Sequence, residues 1–248
     1  MNFTLHHDGV TIPVTRGGRG RPLVLCPGLN STQADLSELI ELLRRDHDVV
    51  TFDLRGHGLS SAAGRYSFDA FLGDLTAVMA HLDTPPLLVG YSLGADLAVH
   101  HAAEHPGGVA GLVLIDGANP TPEPFLTEAD LPRFRAMWTE MAARQEAARG
   151  TARQVLLTAE EILDLNVEID AVRSQILDRY RKIDRPITMI MSTSMAGDSG
   201  ERFNENWRAG VERLVRAQPH LATSWLDADH GLVFTHAPDI ARIIREAS

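Results

Sequence analysis

Two stretches of this chain are apolar at every step rather than at every other one. Residues 87–91 read Leu-Leu-Val-Gly-Tyr and residues 109–115 read Val-Ala-Gly-Leu-Val-Leu-Ile. A strand with one wet face alternates apolar and polar residues, whereas a strand covered on both faces does not. Such runs therefore belong in a parallel sheet sandwiched between helices. Residues 95–104 between them carry a helix-favouring sequence. The junction of the first strand with that helix reads Gly90-Tyr91-Ser92-Leu93-Gly94, a G-x-S-x-G sequence. Glycines let neighbouring backbone approach such a turn, and the serine is held strained and exposed at the helix N-terminus. A hydroxyl there can act as a nucleophile, and the free N–H groups of the helix can stabilise an anion.

The same alternation of strand and helix extends outward. Residues 3–6 and 11–14 flank His7-Asp8-Gly9, a hairpin turn sequence. Strands are expected at 22–26, 49–53, 87–91 and 109–115, with helices at 31–44, 68–82 and 95–104. Ser31 or Thr32 is the expected cap of the first helix. The alternation then stops. Residues 120–185 hold no convincing strand and read as helices over 128–148, 152–158 and 159–182. One face there carries Phe134, Met137, Trp138 and Met141 at helical spacing, which fits either packing on neighbours or the wall of a substrate pocket. After Pro186 the pattern resumes, with strands at 187–191 and 223–226 and helices at 205–218 and 238–245. The expected architecture is a doubly wound, mostly parallel eight-stranded α/β sheet. Its core spans 1–119 and 186–248, and a helical lid, 120–185, is inserted after the sixth strand.

Composition narrows the partners. Lysine and arginine total 23 against 33 acidic residues, a formal net charge of −10. That balance argues against non-specific nucleic-acid binding or an anionic membrane surface but says little about the substrate, since the local field at a site can differ from the net charge. The single cysteine, Cys26, cannot form an internal disulfide, which fits a reducing compartment. Residues 1–8 have no basic region leading into a long apolar run. The expectation is a cytoplasmic chain without signal peptide or membrane span. No H-E-x-x-H or C-x-x-C spacing occurs, and Gly17-Gly18-Arg19-Gly20 precedes a strand rather than a helix. Neither a metal nor a cofactor is expected.

Four segments in this order resemble the α/β-hydrolase superfamily, and the resemblance covers nearly the whole chain. Gly90–Gly94 looks like the nucleophile elbow, with Ser92 as nucleophile. The run from Asp53 to Ser60, Asp-Leu-Arg-Gly-His-Gly-Leu-Ser, looks like the turn after the fourth strand, which His57 would fix. Asp229-His230-Gly231 follows the last short strand, where the superfamily places its catalytic histidine, so His230 is the base. Pro27-Gly28-Leu29 follows the third strand, where many members carry His-Gly and build half of an oxyanion hole. The resemblance thus implies that the backbone N–H groups of Leu29 and Leu93 receive the oxyanion.

The third triad member has two candidates. Most members carry the acid shortly after the strand that follows the lid. Here that stretch holds no acidic residue until Asp198. A second location, used by polyketide thioesterases, is the end of the strand after the elbow helix, where this chain has Asp116. Asp116 ranks ahead of Asp198; Asp227 and Asp229 are too close in sequence to His230 to be preferred. The resemblance implies a serine hydrolase that cleaves an ester, thioester or lactone of a small, largely apolar substrate through an acyl-enzyme. The alternatives are a cofactor-free lyase or acyl-transferring or cyclising enzyme on the same fold, and a non-catalytic ligand receptor.

Overall fold

The two all-apolar runs lie side by side at the centre of one sheet in the computed structural model, which describes residues 2–197 and 200–248. Among the described residues the strands are β1 (Asn2–His7), β2 (Val10–Gly18), β3 (Arg21–Cys26), β4 (His47–Phe52), β5 (Leu87–Tyr91), β6 (Gly111–Ile115), β7 (Ile187–Ser192) and β8 (Ala222–Leu226). They form an eight-stranded sheet in the order β1-β2-β4-β3-β5-β6-β7-β8. Only β2 runs antiparallel to its neighbours; the remaining pairs are parallel. This is the architecture the sequence predicts.

The missing polar face of the central strands has a direct cause. Leu23, Leu25, Val113 and Ile115 pack with α1 (Ser37–Leu43) and α9 (Ala237–Glu246) on one side of the sheet. Their neighbours Val24, Cys26, Leu112 and Leu114 pack on the other side. There they meet α2 (Phe68–Met79), α3 (Leu93–Glu104) and α7 (Glu201–Ala217). Successive side chains thus enter opposite cores, and neither side can be polar. The two-residue turn between β1 and β2 places Asp8 and Gly9 at φ 47° and 73°, the double positive φ that tight hairpins require.

Two expected helices are revised. Residues 31–36 precede α1 as a turn, because Asp35 accepts from the Thr32 N–H and hydroxyl while the Gln33 N–H goes to Asp53. These side-chain acceptors compete with helical hydrogen bonds. Residues 152–153 form a turn and 154–158 are extended rather than helical. Gly58 N–H donates to the Gln154 carbonyl at 2.8 Å, and Leu156 N–H donates to the Gly56 carbonyl at 2.8 Å. Val155 and Leu157 are buried at alternate positions, a period of two that suits this pairing. Residues 120–130 are turns and irregular chain, and the helices of this stretch are α4 (Leu131–Gln145), which runs into a 3₁₀ turn at Glu146–Ala148, and α5 (Ala159–Arg173), followed by α6 (Ile176–Tyr180). A capping box formed by Thr158 and Glu161 starts α5. No helix among the described residues is long and apolar enough to cross a membrane.

Several histidines are buried. Burial pushes His57 and His101 down to about 4 and also lowers His47 and His100. Unfolding returns each to about 6.5, so the unfolded chain binds more protons between those limits. Their contribution to stability is complete above about pH 6.5 and is lost as the pH falls toward 4. Thermal unfolding followed by circular dichroism is expected to show a midpoint that drops steadily across that window. A midpoint constant from neutrality to pH 4 would contradict it.

Candidate active site

Ser92 follows β5 directly and adopts φ 51° and ψ −119°, a conformation that L-residues avoid. The surroundings hold it there. Its N–H donates to the Ile115 carbonyl at 2.9 Å, and its carbonyl accepts from Ala95 N–H at 2.9 Å. A Cβ on Gly90 would stand 2.2 Å from the Gly94 carbonyl oxygen, and one on Gly94 would stand 2.2 Å from that of Cys26. Helix α3 can therefore start this close to β3 and β5 only with glycine at both positions. The result projects the Ser92 side chain above the carboxyl ends of the parallel strands, where open α/β sheets bind ligands.

His230 lies in the loop after β8. Its Nε2 is 2.9 Å from Ser92 Oγ, and its Nδ1 is 2.7 Å from Asp116 Oδ2. Asp116 follows β6 at φ 46° and has no exposed surface. Its carboxylate accepts four hydrogen bonds: Oδ1 from Ser192 N–H and Trp207 Nε1–H, Oδ2 from Ser192 Oγ–H and His230 Nδ1–H. Burial alone would push this carboxyl up. The His230 bond and charge, with the two Ser192 bonds, outweigh it and hold Asp116 below the usual carboxylate range. The backbone of His230 is fixed as well, since Tyr91 Oη–H donates to its carbonyl at 2.8 Å.

The structure thus brings Ser92, His230 and Asp116 into one hydrogen-bonded line. Asp198 lies outside the described residues. Asp227 accepts from Thr193 Oγ1 and Asp229 from Gly231 N–H. Leu93 is the first residue of α3, where a backbone N–H has no intrahelical acceptor. Leu29 sits on the loop after β3, and both leucines border the same cavity as Ser92. That loop is held by an unexpected partner. Asn30, at φ 63°, donates its N–H to His57 Nε2 at 3.2 Å. The His57 Nδ1–H in turn donates to the Arg55 carbonyl at 2.9 Å. An imidazole held near 4 is neutral at pH 7 and can serve as donor and acceptor at once. His57 therefore fixes both its own turn and the loop bearing Leu29.

Sequence reasoning missed the other residues that hold the line. Ser192 ends β7, where most members of the resembling superfamily begin to look for an acid; it donates to the carboxylate of the neighbouring strand instead. Trp207 on α7 gave no local signal, because an indole in an amphipathic helix reads as core. Of the five described non-glycine residues with positive φ, four (Asn30, Ser92, Asp116 and Ala118) lie on the loops around this site.

Above Ser92 opens a cavity of about 390 Å³. Phe134, Met137, Trp138 and Met141, the four residues picked out in 120–185, all border it, and so does Phe125. Ile169 on α5 and Phe203 on α7 close the apolar wall. The cavity also reaches Arg133 and Arg173. No group of three or more His, Cys, Asp or Glu residues among those described could hold a metal ion.

A model of the alpha/beta hydrolase fold family matches residues 21–197. A non-heme haloperoxidase of Rhodococcus erythropolis is 34% identical over 124 residues, covering 48% of this chain and 45% of its own. N-formylmaleamate deformylase of Pseudomonas putida is 37% identical over 103 residues, covering 40% of this chain and 38% of its own. The matched stretches therefore span less than half the length of these relatives. Among solved structures, a thioesterase domain from the curacin biosynthetic pathway superposes with a TM-score of 0.68 at 22% identity, covering 99% of each chain. That likeness is one of fold.

Two measurements probe the Asp116 carboxylate. A far-downfield proton resonance from His230 Nδ1–H is expected in wild-type protein and should vanish in Asp116→Ala. Its survival there would place the proton on another acceptor. Trp207→Phe removes one donor from a buried carboxylate and should cost about 1–3 kcal/mol of stability, read by urea unfolding.

Proposed function

This chain belongs to the α/β-hydrolase fold family, and from that premise we propose that it is a serine hydrolase working through an acyl-enzyme on an ester, thioester or lactone. One observation carries the reading: His230 bridges Ser92 Oγ at 2.9 Å and Asp116 Oδ2 at 2.7 Å. Curated relatives named as esterases and a deformylase support hydrolysis as the reaction class. The cavity, apolar over most of its wall and about 390 Å³, supports a small, largely apolar acyl group.

Ser92 Oγ attacks the substrate carbonyl while its proton passes to His230 Nε2. The imidazolium that forms keeps its Nδ1–H on Asp116, whose negative charge stabilises it. The carbonyl oxygen becomes an oxyanion and accepts from the Leu29 and Leu93 N–H groups, donors whose strength counts most in the transition state. His230 then gives its proton to the leaving oxygen or sulfur, and the acyl-enzyme remains on Ser92. A water, deprotonated by His230, attacks that ester; collapse of the second oxyanion releases the acid and restores the Ser92 hydroxyl. Residues 120–185 act as the lid that selects the acyl group, with 1–119 and 186–248 as the core. The buried, unpaired Cys26 fits a cytoplasmic setting.

A fluorophosphonate probe is expected to label wild-type protein and to leave Ser92→Ala unlabelled and His230→Ala at background. Equal labelling of all three would sink the serine-hydrolase reading. Against a p-nitrophenyl ester, Asp116→Asn should lower kcat by roughly a hundredfold or more with little change in KM.

A further inference from the structure

One feature of the cavity does not match an apolar acyl group. Arg173 on α5 borders it with only 11% of its side chain exposed. Its Nε and Nη2 bind the buried Asp96 carboxylate at 2.9 and 2.6 Å, and its guanidinium lies 5.5 Å over the Trp207 ring. These contacts use one edge of the guanidinium. Nη1 makes no hydrogen bond among the described residues, so the edge formed by Nη1 and the second Nη2 proton is free.

Two further donors border the same space. Arg133 on α4 is exposed at the rim and has no ion-pair partner among the described residues. Trp138 Nε1 is buried and has no acceptor. An apolar acyl chain seated here would strip water from the Arg173 edge and leave its N–H donors unpaired, which is costly in a buried site. A planar anion reverses that balance, because the free edge of a guanidinium matches a carboxylate in two parallel hydrogen bonds. Asp96 offsets the charge of Arg173, and Asp170 stands near the same guanidinium with its carboxyl pushed up by burial. The attraction for an anion therefore rests on the free N–H edge and on the unpaired charge of Arg133, not on an excess of charge at Arg173.

We infer that the cavity takes an acyl group whose hydrocarbon stem lies on the aromatic wall and whose far end carries a carboxylate, received by Arg173 with Arg133 at the rim. The substrate class is then a monoester or monothioester of an aliphatic dicarboxylic acid. This rests on the hydrolase reading for the bond that is cleaved, but the anion site itself can be measured without turnover.

Ser92→Ala protein is titrated with the monomethyl esters of the diacids from succinate to suberate. Each is matched by the methyl ester of the monocarboxylic acid with the same number of carbons. Trp138 and Trp207 border the cavity, so their fluorescence reports binding. At least one monoester should bind about tenfold more tightly than its methyl-terminated partner. That preference should fall in Arg133→Gln and be lost in Arg173→Lys, which keeps a cation beside Asp96 but not the fork. No preference anywhere in the series overturns the inference, as does a preference that survives both substitutions. Wild-type turnover of p-nitrophenyl hexanoate separates the two readings. Cleavage of that ester without any preference for the anionic ligands removes the anion site and leaves the hydrolase. Preferential binding of the monoesters without cleavage of any ester removes the hydrolase and leaves the site.

Discussion

The Asp116 carboxylate carries a charge where no water reaches it, and four donors from three separate elements converge on it. A buried carboxylate without partners would take up a proton rather than stay charged. Here Ser192 brings two donors from β7, Trp207 brings one from α7, and His230 brings one from the loop after β8. The same carboxylate thus ties the end of β7 to that of β6, and fixes the depth of a helix and the direction of an imidazole. Ser92 is tied to this arrangement from the other side, since its N–H is held by Ile115, the residue just before Asp116. Losing the carboxylate would loosen both the orientation of the His230 ring and the packing of α7.

Much of this was legible in the sequence wherever the cause is local. The unbroken apolar runs at 87–91 and 109–115 demand two covered faces, and β5 and β6 have them. Gly90 and Gly94 demand a close approach of backbone, and α3 supplies it. The Asp8-Gly9 hairpin follows from conformational freedom at two residues. What was not legible depends on partners distant in sequence. Spacing could not rank Asp116 against Asp198 on structural grounds, because the residues that hold the Asp116 carboxylate, Ser192 and Trp207, lie 76 and 91 positions from it. The residues at 152–158 carry acceptable helical propensity, yet Gly56 and Gly58 offer backbone partners that no window of sequence around 152–158 contains. Thr32 and Asp35 took over hydrogen bonds that a helix from 31 would have needed.

His57 shows how such long-range choices reach the chemistry. It sits in a turn whose sequence only marks it as a turn. Burial keeps it neutral, and neutrality gives it an acceptor nitrogen that the Asn30 N–H can use. The loop that carries Leu29 is thereby fixed by a residue that itself faces no substrate. The extended stretch at 154–156 pairs with the same turn. One buried turn therefore anchors both the loop beneath the cavity and the middle of the helical stretch above it.

That anchor makes the helical stretch uneven in how it is fastened. Beyond it, α5 buries Ile162, Leu163, Leu165 and Ile169, and Tyr180 on α6 donates to the Ala118 carbonyl at 2.8 Å. Before it, α4 buries no residue completely: Trp138 packs half-buried against the core, Phe134 meets Phe125 and Phe203, and the ion pairs are the exposed Arg135–Glu160 and, at the start of the helix, Arg202–Asp130. Exposed pairs of that kind contribute only about 0.2–1 kcal/mol each. Yet α4 supplies Phe134, Met137 and Trp138 to the cavity wall. Its apolar face looks onto empty space where a core would normally be. A hydrocarbon stem entering the cavity would fill that space and give α4 further apolar neighbours, so an occupied cavity would make the ligand a temporary part of the hydrophobic core.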